Sequence, residues 1–197
     1  MGISTILLVL AIDCFFVGVS ARGDIVTSQY SPCDEETIAC IRSVNEGAMP
    51  PSFSEQLANN NWRIVYNSKF FAEEAHADCI STHIGIEECY DTYYNNCKYV
   101  KTGRYNITYI DDYIEANNVG GVIWHAYTIY HCKETQVVSY YVCSPYGESP
   151  FHVDIYCPWT LDDEECRRGM ERARKRLEIC GIANGKRMCE KRCHDCE

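Results

Sequence analysis

The chain is short of basic residues. Lys and Arg number 18 against 28 Asp and Glu, a formal net charge of −10. Such a surface is a poor match for nucleic acid or an anionic membrane, where Lys and Arg contacts to phosphate supply the affinity. Acidity is compatible with a cationic ligand without demonstrating one, because a solvated acidic surface is the commoner cause. Long apolar runs are scarce too. Residues 6–19 are apolar apart from Asp13, and no later segment is long and apolar enough to span a bilayer. Histidine is sparse and scattered, at positions 76, 83, 125, 131, 152 and 194, and neither Gly-x-Ser-x-Gly nor His-Glu-x-x-His occurs. On these absences the chain is expected not to be an enzyme and to need no cofactor.

The one apolar run ends in Val19-Ser20-Ala21, small residues that suit a cleavage site, so residues 1–21 read as a secretory signal peptide. Its loss removes Asp13 and leaves a net charge of −9. The expected product is secreted and extracellular. It comprises an N-terminal cysteine-bearing segment with a short helix (22–52) and a single domain (53–197). Arg22-Gly23-Asp24 at the new terminus is most simply a chance tripeptide.

Cysteine, by contrast, is abundant. Thirteen of the 14 cysteines follow the signal. In an oxidising compartment they read as disulfides, and the odd number leaves one thiol free or paired with another molecule, for example in a disulfide-linked dimer. Cys189, Cys193, His194 and Cys196 have zinc-ligand chemistry, but in a disulfide-dense secreted chain they read as cystines, with no metal.

Residues 33–44 read as a short helix whose N-terminus is favoured by Asp34, Glu35 and Glu36. Pro50-Pro51 ends it and leads into a turn at 53–57. In residues 62–69 Trp62, Ile64 and Tyr66 alternate with Arg63, Val65 and Asn67, a strand pattern. Then come a polar loop with Glu73, Glu74 and His76 and further strand-like runs at 78–86, 89–94, 97–101, 104–110, 113–116, 122–131, 136–143 and 151–157. Asn95-Asn96 is the expected turn, Gly103 an expected break, and 122–131 the longest strand. A helix over 160–180 follows, with Thr160 as the expected cap, acids in its first turn and Gly181 at its C-terminus. Cys166, Met170, Ala173, Leu177 and Cys180 form one stripe, and Gly169 beside it permits close contact with a barrel wall. Its basic residues read as a solvated outer face. This order predicts an all-β fold with one C-terminal helix, an eight-stranded antiparallel up-and-down barrel stapled by disulfides.

The order resembles the lipocalin family, in a divergent, cysteine-rich form like apolipoprotein D. Phe53-Ser-Glu-Gln-Leu-Ala-Asn-Asn-Asn-Trp62 is similar to the turn that leads into the family's Gly-x-Trp strand, with Asn60 in the glycine's place. Asp78-Cys79-Ile80 resembles the second strand. Ile155-Tyr-Cys-Pro-Trp-Thr-Leu161 with the acidic helix start resembles the last strand running into the lipocalin helix, though Cys157 or Pro158 stands where the family has arginine. Gly181-Ile182 and the terminal cysteines resemble the segment that returns to the barrel. The resemblance implies a carrier of a small, largely hydrophobic ligand held in the barrel. It also implies a disulfide from Cys79 to a terminal cysteine such as Cys196, and one from Cys33 or Cys40 to a late strand, with Cys143 as the candidate.

Asn106-Ile107-Thr108 is an N-glycosylation sequon. If Asn106 carries a glycan, Tyr105, Ile107 and Tyr109 face inward. Trp62, Ile64 and Tyr66 face inward if Trp62 closes the base. In 122–131 the inward set is either Trp124, Ala126 and Thr128 or His125, Tyr127 and Ile129. The candidate ligand-binding residues are Trp62, Tyr66, Tyr105, Tyr109, Trp124, Tyr127 and Tyr141. Fifteen tyrosines suit a site that holds an apolar body by a few hydrogen bonds, and Asp91, Asp111, Asp112 and Glu115 would add charge for an amine. The expected ligand is therefore a lipid, a retinoid-like molecule or a biogenic amine. Two alternatives stand beside this carrier reading. One is a secreted antagonist or inhibitor of another protein that uses the barrel only as scaffold. The other is a lipocalin-like redox or isomerising enzyme.

Overall fold

The computed structural model describes residues 32–45, 60–68, 77–110, 112–118, 121–147, 150–182 and 185–188. The expected signal peptide, the Arg-Gly-Asp tripeptide, the 53–57 turn, the loop with Glu73, Glu74 and His76, Asp111, and the Cys189–Cys196 cluster lie outside these residues.

Helix α1 (Glu35–Val44) precedes strand β1 (Asn60–Ser68), and the chain then runs as a meander. Its strands are β2 (Cys79–Ile84), β3 (Glu88–Asn95), β4 (Lys98–Tyr109), β5 (Ile114–Asn118), β6 (Ile123–His131), β7 (Val138–Cys143) and β8 (His152–Pro158). Helix α2 (Asp163–Ile179) and the short β9 (Gly185–Arg187) follow. Every consecutive pair from β1 to β8 is antiparallel. β1 also pairs with β8, Trp62 facing Pro158 and Asn67 facing Asp154, and this closes the barrel. It is an eight-stranded up-and-down barrel, with β9 paired to the far end of β1.

Strand β4 is a single run of 12 residues and the longest among the described residues, so Gly103 does not break it and 122–131 is not the longest. Gly103 pairs with Asp91, and a Cβ there would lie 2.8 Å from the Tyr105 hydroxyl. The missing side chain lets the Tyr105 ring lie back over the strand. The β3–β4 turn sits one residue later than the Asn95-Asn96 pair suggested. Asn96 and Cys97 both take left-handed backbone, at φ 48° and 61°, the two-residue hairpin that matches strand twist. The Asp78 carboxylate accepts from the Asn96 amide at 2.9 Å.

The two helices cover one side of the barrel. α1 packs on β6, and α2 on β6 and β8. Between helices and strands lies one apolar layer containing Ile38, Ile41, Val65, Tyr66, Tyr127, Ile129, Tyr141, Ile155, Met170 and Leu177. A second layer inside the barrel holds Trp62, Ile84, Ile107, Trp124, Val138, Tyr140 and Val142. Both faces of β7 and β8 are therefore buried, whereas most outward residues of β4 are exposed.

Asp162, not Thr160, caps α2, because its side chain accepts from the Glu164 and Glu165 amides, both at 2.9 Å. Cys180 is the C-cap, and Gly181 takes the left-handed position beyond it at φ 71°. Gly169 faces Val137 so closely that an added Cβ would lie 2.6 Å from Val137 Cγ2. Gly169→Ala is expected to destabilise the protein by about 1–3 kcal/mol through overpacking, although alanine is the better helix former. Urea unfolding checks this, and a gain in stability would show that the helix can ride outward freely.

Disulfides hold the covering layer on. Cys33 bonds Cys143 at the end of β7, Cys40 bonds Cys180 at the end of α2, and Cys157 bonds Cys166 across the β8–α2 corner. Cys33 is thus the N-terminal cysteine that reaches Cys143, and Cys40 reaches the helix instead. Cys79 and Cys97 are also disulfide-bonded. The Cys196 end of the expected Cys79 link is outside the described residues. Two described cysteines, Cys89 and Cys132, are free, where one free thiol was expected in the whole chain.

Candidate functional site

The barrel encloses a cavity of about 110 Å³. Its walls come from all eight barrel strands. Ile64 is on β1, Ile84 on β2, Cys89 and Asp91 on β3, and Tyr105 and Ile107 on β4. Ile114 and Ala116 are on β5, Trp124 and Ala126 on β6, and Tyr140 and Val142 on β7; β8 completes the ring with His152, Asp154 and Tyr156. These are alternate residues of each strand, as the pleat requires.

Apart from its tyrosines, the polar part of this wall is concentrated on β3 and β8. Asp154 Oδ1 accepts from Asn67 Nδ2 at 2.6 Å. Its Oδ2 accepts from the Tyr156 hydroxyl at 3.3 Å and lies 3.3 Å from His152 Nε2. Asp91 Oδ1 accepts from the Thr82 hydroxyl at 2.7 Å. Burial pushes the Asp91 carboxyl up to about 7, and the nearby Asp154 charge adds to the rise against the Thr82 bond. The surface Asp91 retains faces the cavity. Burial also pushes the Cys89 thiol and the Tyr105, Tyr140 and Tyr156 phenols up, so none of them is an anion near neutral pH. Trp124 meets the His152 ring edge-on, with centroids 5.1 Å apart.

Of the tyrosines and tryptophans expected at the ligand, Tyr105 and Trp124 line the cavity. Trp62 is fully buried in the inner layer without lining the space. Tyr109 packs against that layer and donates its hydroxyl to the Gly85 carbonyl at 3.3 Å. Tyr66, Tyr127 and Tyr141 face the helices instead. For Tyr66 the cause is a bulge in β1. The register with β8 shifts between Ile64 and Tyr66, so Val65 and Tyr66 both turn outward and Asn67 returns to the inside. The Arg174 guanidinium then sits over the Tyr66 ring, 5.5 Å from its centroid. Tyr127 follows from strand parity, since Trp124 and Ala126 point inward. Tyr141 is displaced by its neighbour Tyr140, which takes the inner position.

Among the acids expected near an amine, Asp91 reaches the cavity. Asp112 pairs with Arg42 of α1, and Glu115 lies 3.6 Å from His125 Nε2 on the outer surface. His152, Asp154, Tyr140 and Tyr156 were not foreseen. The signal available for them was the inward parity of Tyr105 carried round the barrel strand by strand. In the sequon, Asn106 and Thr108 are exposed while Ile107 is buried.

No family model matches the chain, and no curated protein matches it in sequence. Among solved structures the chain is similar to one described as "The Siderocalin Ex-FABP functions through dual ligand specificities". The TM-score is 0.47 and the identity 11%, covering 68% of this chain and 95% of that one. Among the described residues no helix is long and apolar enough to cross a membrane, and no cluster of three or more His, Cys, Asp or Glu is arranged to hold a metal ion.

Proposed function

We propose that the protein is a secreted binding protein for a small, largely hydrophobic molecule that carries one amine, held inside the barrel. The observation that carries this reading is the placement of Asp91 and Asp154 in a cavity whose other walls, apart from Cys89 and His152, are aliphatic and aromatic. Two buried acids, with His152 beside Asp154 and no Lys or Arg among the described lining residues, favour a cation. Tyr105, Tyr140, Tyr156 and Trp124 offer π faces to the same charge. Volume then chooses among the ligands expected from sequence. A cavity of about 110 Å³ compares with the one on the order of 150 Å³ that holds benzene. At that volume a small, compact ligand fits better than a retinoid or a long-chain lipid. The exposed sequon fits a glycan at Asn106 on the outer surface.

Phenethylamine and its neutral analogue 2-phenylethanol test the reading by calorimetry at pH 8. The amine is expected to bind at least tenfold more tightly, and Asp154→Asn to remove most of that preference. Equal affinity for the two compounds would overturn it.

One observation favours a second reading, since Asp91, Asp154, His152 and Cys89 converge on one cavity as the groups of a catalyst do. Cys89 weighs against it. Its thiol is pushed up by burial and by the charges of Asp91 and Asp154, the reverse of an activated nucleophile. Proton NMR of the amine after prolonged incubation separates the two readings. An unchanged spectrum belongs to a carrier, and new resonances, from a redox product or an isomer, to an enzyme.

A further inference from the structure

The two cavity carboxylates are not equivalent. Asp154 on β8 has Asn67, Tyr156 and His152 within reach of its oxygens, at 2.6, 3.3 and 3.3 Å. Asp91, across the cavity on β3, has the Thr82 hydroxyl at 2.7 Å. Two like charges in a small, largely apolar space repel, and the less well hydrogen-bonded of the two is the one to hold a proton.

Resting on the amine-binding reading, we propose that the empty cavity stores one proton on Asp91 and exchanges it for the positive charge of the ligand. The exchange balances. A protonated amine enters, the Asp91 O–H bond breaks, its proton leaves to solvent, and the electron pair stays on the carboxylate that faces the ammonium. The charge of the cavity is the same before and after, so the ligand does not have to neutralise a site that was already stable without it.

The groups around Asp91 leave few competitors for this role. Burial pushes up Cys89 and Tyr93 on its own strand, Tyr105 on β4 and Tyr156 on β8, so they stay neutral. Thr82 on β2 does not titrate. Asp154 and His152 on β8 are the remaining charged or titratable neighbours, and His152 is the one whose protonation would mimic the effect by repelling a cation. The position of the Asp91 carboxyl near 7, raised chiefly by burial, puts the exchange within the ordinary range of extracellular pH.

The linkage has a definite sign. Below about pH 7 the ligand must displace a proton, so affinity falls about tenfold per pH unit; above it, affinity is flat. The test is calorimetry on the secreted protein with phenethylamine, which stays protonated over this range. It is run at pH 6 and pH 8 in buffers of unlike ionisation enthalpy, on wild type, Asp91→Asn and His152→Gln. Wild type is expected to release about 0.9 proton per amine at pH 6 and about 0.1 at pH 8. Asp91→Asn is expected to release none, to bind with the same affinity at pH 6 and pH 8, and to bind more weakly than wild type at pH 8. His152→Gln is expected to release as wild type does. Binding without proton release, release that survives Asp91→Asn, or release that vanishes in His152→Gln would each overturn the exchange while leaving the amine reading in place. No binding to wild type at pH 8 would overturn both.

Discussion

Asp91→Asn is expected to make the empty protein more stable above pH 7. The carboxyl titrates at its ordinary 3.8 in the unfolded chain and at about 7 in the barrel. Below 3.8 it is protonated in both states and contributes nothing to the balance. Between the two values the unfolded chain has lost the proton and the folded chain holds it, so stability falls as pH rises. Above 7 the loss is complete. A shift of roughly three units corresponds to about 4 kcal/mol. Asparagine cannot ionise, and its side-chain carbonyl can still accept from Thr82. Wild type and variant should therefore be nearly equal near pH 4 and diverge to about 4 kcal/mol by pH 8. For a domain of this length that difference corresponds to roughly 10 °C in Tm. Other titrating groups tilt both curves alike, so the difference between them isolates Asp91. Urea unfolding at pH 4, 6 and 8 with the disulfides intact measures it, and parallel curves would mean that Asp91 is ionised throughout. If the prediction holds, the wild-type protein gives up stability to keep an acid where its ligand sits.

The second large effect concerns the bond between Cys40 and Cys180, which joins residues 140 apart. Cys33–Cys143 and Cys157–Cys166 already close most of that loop, so the bond adds an effective loop of about 35 residues, worth about 4 kcal/mol of chain entropy. Cys157–Cys166 spans only 9 residues and is worth about 2.5 kcal/mol on the same grounds. Replacing Cys40 and Cys180 by serine should thus cost more than replacing Cys157 and Cys166, although the second pair lies in the middle of the helix–barrel contact. Chemical denaturation of the two double variants ranks them. The reverse order would show that local packing at the β8–α2 corner, and not chain connectivity, sets the strength of the staple.

Much of the architecture is legible in the sequence because β1 to β6 carry period-two patterns broken by Gly and Asn. The acidic start of α2 and its stripe from Cys166 to Leu177 are equally plain. The cavity is harder to read. Where helices cover the barrel, β7 and β8 are buried on both faces, and Ser139-Tyr140-Tyr141-Val142 offers no polar parity to say which tyrosine points inward. His152 and Asp154 are polar residues on an inner face, the reverse of the pattern used to find strands, and that reversal is itself a mark of a site. Tyr66 could not be placed because a bulge has no signature in Ile64-Val65-Tyr66. Gly103 misleads for a related reason. Its lack of a side chain looks like a turn but serves to seat the Tyr105 ring within a continuous strand.

The helices and their disulfides lie over β6, β7 and β8, while the outer face of β4 is open to water. The barrel therefore has one wall covered by helices and one wall that is bare outside. Asp154 and His152 stand on the covered wall, where their positions are fixed by packing from behind. Asp91 stands on β3, on the other side, paired with β4. On the exchange proposed above, an arriving amine would meet a wall braced by the helices and a wall without that brace, and the second would carry the acid that changes its charge. Changes in β3 and β4 would then alter the space for an occupant without touching the helical brace over β6, β7 and β8.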